Sequence, residues 1–244
     1  MTKRYSVGQI VILNGAPRSG KSSIAEVIQE TFDGPWMNLG VDVHVRHMTP
    51  ARYRPGIGLR PGGERPDLET VIPLFYAALY ESIASHSRLG LNVVADFGHH
   101  ESYARPHHIL ADCARRLAGL PVLFVGVRCP IDTIMQRRRE STGREGEYLF
   151  AGEGEPVPPP VLAWQQAVHD PGIYDMEVDT AAMTPQECAA VIRRRLECGL
   201  EDATAFRQLA SMAGQTPVAG SLDQSNRTPS AASGALPASA GRRR

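Results

Sequence analysis

The stretch Gln9-Ile10-Val11-Ile12-Leu13-Asn14-Gly15-Ala16-Pro17-Arg18-Ser19-Gly20-Lys21-Ser22 carries three structural instructions in succession. Gln9 to Leu13 is a short β-branched run, the mark of a buried strand, and it stops at the turn pair Asn14-Gly15. From Ser22 onward Ile24, Val27 and Ile28 fall at helical spacing. Between the two, Gly15 to Ser22 satisfies G-x-x-x-x-G-K-[ST] directly after an apolar strand and directly before a helix, the context that gives the pattern its meaning. Backbone N–H groups of such a loop and the N-terminus of its helix converge on one spot, where they replace the water that otherwise solvates a phosphate. Gly15 and Gly20 permit close backbone approach, Lys21 reaches the β- and γ-phosphates, and Ser22 offers an oxygen to Mg²⁺. The whole loop, Gly15, Ala16, Pro17, Arg18, Ser19, Gly20, Lys21 and Ser22, is read as the nucleotide-binding element.

Outward from this unit, strand-like and helical runs alternate to about residue 198. Leu68 to His86 has apolar residues at Leu68, Val71, Ile72, Phe75, Leu79 and Ile83, which predicts a long amphipathic helix, and Leu91 to Phe97 then predicts a buried strand. Pro106 to Leu117 reads as a helix, Pro121 to Val127 as a nearly continuous apolar strand, and Ile131 to Glu140 as a basic helix. Val161 to His169 resumes helical, and Met176 to Asp179 reads as a last strand. Thr184-Pro185-Gln186-Glu187 predicts a capping box with proline at the first helical position. Continuous apolar strands separated by helices imply a parallel sheet covered on both faces. The expected organisation is a catalytic domain over 1–198 with a lid at about 137–160, an extra helix within 199–213, and a low-complexity tail over 214–244. That tail holds only Val218, Leu222 and Leu236 as larger aliphatics, too little to offset the entropy of ordering it.

Composition narrows the function classes. The 244 residues are 42% hydrophobic, enough for a core, and 26 basic side chains balance 26 acidic ones, which removes any global pull toward nucleic acid or anionic lipid. The longest apolar runs fall far short of the roughly 20 residues a membrane helix needs, so a cytoplasmic protein is expected. Cys113, Cys129, Cys188 and Cys198 lie far apart with no Cys-x-x-Cys pair and read as reduced, mostly buried thiols. His99-His100 and His107-His108 lack partners at ligand spacing and read as loop or helix-end histidines rather than metal ligands.

Phosphoryl transfer to a small molecule needs a carboxylate beside the acceptor hydroxyl, an acidic group for the metal, and cations over the moving group. Asp42, after Leu39-Gly40-Val41, stands where a second strand is expected to end near the phosphate loop. Asp96 ends the strand Val93-Val94-Ala95, and strand-terminal carboxylates in such sheets face the ligand crevice. Arg137, Arg138, Arg139 and Arg144 cluster ahead of a long Gly/Glu/Pro segment that reads as a lid. Singly, each of these also fits a cap, a solubility residue or a solvated helix face.

In this order, Ile12-Leu13-Asn14-Gly15, the phosphate loop, Gly40-Val41-Asp42, Val125-Gly126-Val127-Arg128-Cys129 and Tyr174-Asp175-Met176-Glu177-Val178-Asp179-Thr180 resemble the chloramphenicol phosphotransferase family of small P-loop kinases, from about residue 9 to 196. The resemblance implies an α/β fold, a P-loop kinase-like three-layer sandwich around a five-stranded parallel sheet of order 2-3-1-4-5. It implies ATP and Mg²⁺ as cofactors, Asp42 as the base that takes the acceptor hydroxyl's proton, Lys21 and the lid arginines Arg137 and Arg144 over the phosphates, and Ser22 and Asp96 on the metal side. The implied partner is a small-molecule hydroxyl acceptor, chloramphenicol among the candidates, with no nucleic acid and no membrane; a homo-oligomer stays open. Two departures stand out: Asp96-Phe97 occupies a place where the family often has two acids, and Ser141 a place where an arginine is usual. The segment Thr49 to Asp67, expected beside the acceptor, is rich in Arg, Pro and Gly, which also suits a kinase of an anionic metabolite. A third reading, from a different class, is a nucleotide-binding regulator whose Pro/Ser tail recruits a partner.

Overall fold

A computed structural model describes residues 6–62, 65–140, 151 and 154–213. The tail 214–244, Arg144 and most of the Gly/Glu/Pro segment lie outside the described residues. Strand β1 (Ile10–Asn14) is buried at every position, because a parallel sheet clad on both sides leaves no solvent face. It pairs in parallel with β3 (Asn92–Phe97) and β4 (Val122–Arg128), while β2 (Trp36–Asn38) and β5 (Met176–Asp179) complete the sheet. The order is β2-β3-β1-β4-β5, as the resemblance implied.

Alternation along the strands sets the layers. Ile10 and Ile12 face α3 (Ile72–Arg88), α4 (Ile109–Arg116) and α8 (Ala205–Ala213), packing with Tyr76, Tyr80, Ile83, Cys113 and Phe206. Val11 and Leu13 face α1 (Lys21–Thr31) and α7 (Pro185–Glu197) through Ile24, Ile28, Cys188 and Ile192. Each such fully buried aliphatic contributes about 1.5–3 kcal/mol, so both layers hold the sheet's ends in fixed positions. A third cluster of Ala16, Ile134, Met135, Val161 and Val168 seats α5 (Ile131–Arg139) and α6 (Pro159–Ala167) against the phosphate loop.

The Thr184 capping box forms as predicted, with Glu187 N–H donating to Thr184 Oγ1 at 3.2 Å and Thr184 N–H to Glu187 Oε2 at 2.8 Å. The helix predicted from Leu68 begins at Ile72 instead, after a 3₁₀ turn at Pro66–Leu68. Pro73 then falls in the first turn, where its missing N–H costs nothing. Between β2 and α3 the chain is broken by Pro50, Pro55 and Pro61 into short pieces: α2 (Val41–Val43), a π-helical turn at His44–Met48, and 3₁₀ turns at Ala51–Tyr53 and Gly56–Gly58. Cys113, Cys129 and Cys188 are buried free thiols, and Cys198 is exposed. No described helix is long and apolar enough to cross a membrane.

Candidate active site

The strands' C-terminal ends meet at Asn14. Its amide donates through Nδ2 to the Val168 carbonyl at 2.7 Å and to the Tyr174 hydroxyl at 3.0 Å, and its Oδ1 accepts from the His99 backbone N–H at 3.0 Å. Asn14 thereby ties β1 to the segment after β3 and to the end of α6. The loop beyond it turns through left-handed backbone at Arg18 (φ 72°) and Gly20 (φ 94°). Gly20 caps α1 with no side-chain hydrogen bond, so the first N–H groups of that helix face the cleft without a side-chain acceptor. Gly15 is fixed by sterics: a Cβ there would lie 2.5 Å from the Val127 carbonyl oxygen. Lys21 is buried and donates Nζ to the Ala16 carbonyl at 2.8 Å. Burial pulls its pKa down, and the nearby Asp96 and Asp42 carboxylates pull it back up.

Asp96 sits near the end of β3, 7% exposed, and accepts a 2.8 Å hydrogen bond from Ser22 Oγ. Burial raises its pKa, and Lys21 and the Ser22 hydroxyl oppose that shift. A serine hydroxyl hydrogen-bonded to a carboxylate beside a phosphate loop is a hard-oxygen donor set that fits Mg²⁺. No group of three or more His, Cys, Asp or Glu capable of holding a metal is assembled among the described residues, so a Mg²⁺ ion held by Ser22 and Asp96 would need phosphate and water oxygens for its remaining ligands. Asp42 lies in the first turn of α2 rather than at a strand end, and its exposed carboxylate stands 3.8 Å from Arg46 Nη2. Exposed pairs of that kind contribute little to stability, which leaves Asp42 available for chemistry.

Lys21, Ser22, Asp42 and Asp96 line one cleft of about 1320 Å³. One end is walled by Val41, Val45, Ile57 and Leu59, with Trp164 held by its Nε1–H to the Gly98 carbonyl at 3.1 Å. The other end is formed by Arg137 and the turn Thr180 to Pro185. Arg137, expected over the phosphates, borders the cleft and bonds to its edge: Nη2 donates to the Thr180 carbonyl at 2.7 Å, and Nη1 to Thr180 Oγ1 at 3.1 Å and the Arg18 carbonyl at 3.3 Å. Arg18 returns a bond from Nη2 to the Arg137 carbonyl at 2.7 Å, and Thr180 Oγ1 donates to the Ser19 carbonyl at 2.7 Å. The phosphate loop, α5 and the end of β5 are thus stapled together at the cleft's edge. Arg144 lies outside the described residues.

Sequence reasoning missed Asn14, Thr180 and Trp164. Thr180 ends the quoted Tyr174 to Thr180 motif, and Asn14 is a polar residue at the end of an apolar run, so both carried a signal; Trp164 carried none. The histidines sit where the sequence put them, His99 and His100 in the loop after β3 and His108 at the start of α4, but two are buried. His99 and His100 are buried, His100 Nε2 lying 2.8 Å from the Leu59 carbonyl. Asn14 Oδ1 only accepts, so His99 Nδ1, 3.2 Å away, carries the proton, and Nε2 accepts from the Tyr80 hydroxyl at 2.7 Å. Burial lowers the His99 pKa to about 3.

The family model described as chloramphenicol phosphotransferase-like protein matches residues 8–197. The chain belongs to the chloramphenicol phosphotransferase-like family. Over 195 residues it is 27% identical to a Mycobacterium tuberculosis H37Rv protein named as a candidate O-phosphotransferase, a match covering 75% of this chain and 79% of the relative. The shikimate kinase of Acinetobacter baumannii, solved with shikimate, superposes with a TM-score of 0.51 at 12% identity, over 80% of this chain and 97% of that one. A candidate kinase from Chloroflexus aurantiacus also gives 0.51 at 12% identity, over 80% and 98%. At that identity the two structures establish the fold alone, that of the P-loop kinases. As a member of the chloramphenicol phosphotransferase-like family, the chain is a phosphotransferase that uses a nucleotide, and the cleft holding Lys21 is where its phosphate loop opens.

Proposed function

We propose that this chain is an ATP- and Mg²⁺-dependent O-phosphotransferase acting on a hydroxyl of a small molecule in the cytoplasm, without nucleic-acid or membrane partners. The observation that carries the reading is that Lys21, the Ser22–Asp96 pair and the exposed Asp42 line a single cleft. Mg·ATP supplies the γ-phosphoryl group and the cation that offsets its charge. Gly15 to Ser22 offer backbone N–H groups to the phosphates. Among the described residues Lys21 hydrogen-bonds to the neutral Ala16 carbonyl, so an anionic phosphate oxygen, a charge-assisted acceptor about twice as strong, draws it away. Ser22 and Asp96 would hold the Mg²⁺, whose charge would offset that of the phosphates. The acceptor oxygen bonds to the γ-phosphorus as the bond to the ADP oxygen breaks, and the acceptor's proton passes to an Asp42 carboxylate oxygen. Trp164, Val41 and Ile57 exclude water from the acceptor side. The Arg137–Thr180 staple holds the loop in register with the turn that precedes α7.

The test is a Mg·ATP assay against a panel of hydroxyl acceptors, with ADP release and phosphorylated product measured together. Acceptor-dependent product is expected, and Lys21→Ala reduces it roughly 10²- to 10³-fold while leaving the fold intact. ADP release at one slow rate whatever the acceptor would instead establish a nucleotide-binding regulator.

A further inference from the structure

The acceptor end of the cleft carries more positive charge than a neutral hydroxyl compound needs. From Arg46 to Asp67 the sequence has five arginines, Arg46, Arg52, Arg54, Arg60 and Arg65, against the two acids Glu64 and Asp67. Four of them, all but Arg52, line the same cleft as Asp42. Their roles separate by partner. Arg65 is neutralised by a two-pronged pair with Asp67 at 2.9 and 2.8 Å, and its other donors brace the Arg54 and Arg52 carbonyls. Arg46 stands 3.8 Å from Asp42. Arg54 is different: Nε donates to the Thr49 carbonyl at 3.0 Å and Nη2 to the Arg46 carbonyl at 2.8 Å, and no ion pair among the described residues includes it. Two neutral carbonyls aim the guanidinium without cancelling its charge, and three of its five N–H donors are left over.

We propose that the acceptor carries an oxyanion, a carboxylate or a phosphate, and that Arg54, flanked by Arg46 and Arg60, selects it. This rests on the phosphotransfer reading and names its substrate class. A planar guanidinium held by its own backbone suits an oxyanion's paired oxygens, and the surrounding positive field raises the local concentration of anions. Val41, Val45, Ile57 and Trp164 offer the acceptor's carbon skeleton an apolar wall. The carbonyls that hold Arg54 belong to the segment beyond Asp42 and not to the phosphate loop, so its charge is placed for the acceptor rather than for ATP.

The experiment uses the full chain and hydroxyl compounds paired by charge: gluconate with sorbitol, glycerate with glycerol, glucose 6-phosphate with glucose, and chloramphenicol as a neutral drug. Binding is measured by calorimetry with Mg²⁺ and a non-hydrolysable ATP analogue, and transfer by product formation. At least one anionic member is expected to bind and to be phosphorylated in clear preference to its neutral twin; gluconate against glucose 6-phosphate tells carboxylate from phosphate. Its KM rises with ionic strength, as screening demands. Arg54→Gln raises that KM roughly 10- to 100-fold, the loss of one charge-assisted contact, with the KM for ATP held. Anionic binding without transfer sinks the phosphotransfer reading and upholds this site. Transfer to chloramphenicol or another neutral acceptor as good as to any anion, no selective anion binding in any pair, or an Arg54→Gln effect on ATP alone overturns the inference. The charge-paired comparison stands on wild-type protein and does not depend on the variant folding.

Discussion

A Cβ built on Gly40 would lie 1.8 Å from Asp96 Oδ1. The backbone of Gly40, at φ −72° and ψ 170°, is open to any residue, so glycine is needed there for space and not for conformation. Gly40→Ala therefore pushes the Asp96 carboxylate off Ser22. The expected outcome is a rise of roughly 10- to 100-fold in the Mg²⁺ concentration needed for half-maximal rate, the usual scale for disturbing a metal ligand's setting. An unchanged Mg²⁺ titration, with folding verified by circular dichroism, would remove Asp96 from the metal site.

Asp42→Asn keeps the side-chain shape and removes the base. Turnover should fall roughly 10²- to 10⁴-fold while calorimetric ATP affinity stays near wild type. If Asp42 were only a helix-start residue, asparagine would serve about as well, and transfer measured by mass spectrometry would be nearly normal.

Thr180 reaches across the fold to Ser19, and its hydroxyl also receives Arg137. Thr180→Val keeps the volume and deletes the hydroxyl. Two hydrogen bonds are lost, each worth about 1 kcal/mol net, so the KM for ATP should rise roughly 5- to 30-fold with the acceptor KM unmoved. The opposite pattern, an effect on the acceptor alone, would mean that this end of the cleft does not serve the nucleotide.

His99 titrates near 3 in the fold against about 6.5 unfolded, because burial penalises its charged form. Between those values the unfolded chain binds the extra proton, so the stability that neutral His99 provides is complete above pH 6.5 and drains away as pH falls toward 3. Its share of the slope approaches about 1.4 kcal/mol per pH unit within the window. His169, lowered to about 4 by burial, acts in the same direction. Urea unfolding at pH 7.5, 6 and 5 should show a declining midpoint, and a flat profile across that range would contradict a neutral buried His99.

The alternation of strands and helices and the phosphate loop were legible because each rests on local signals: β-branched runs, the G-x-x-x-x-G-K-S spacing, and the Thr184 box; the order of the strands in the sheet came from the resemblance alone. Asp42 and Asp96 were legible as strand-end or near-end carboxylates, although Asp42 lies one turn further along, in α2. Arg137 was visible as a cation, but its bond to the Thr180 carbonyl was not, since that partner is 43 residues away and fixed by packing rather than by any local pattern. The same holds for the buried pair His99 and Asn14, separated by 85 residues. The breakage of 49–67 into 3₁₀ turns followed from its prolines, but which of its arginines would face the cleft did not.

Apart from Trp164 and its neighbours on α6, the acceptor wall comes from one uninterrupted stretch between β2 and α3, anchored in the core by Ile57, Leu59 and Leu68. The nucleotide side is assembled from the loop after β1, α5 and the end of β5. On the proposed reading, a change of substrate can accordingly arise by exchanging the part of that stretch beyond Asp42, which keeps the base, while the phosphate-handling half is inherited intact. It makes the stretch a natural cassette, both for lineages that diverge in what they phosphorylate and for anyone grafting a new specificity onto this scaffold.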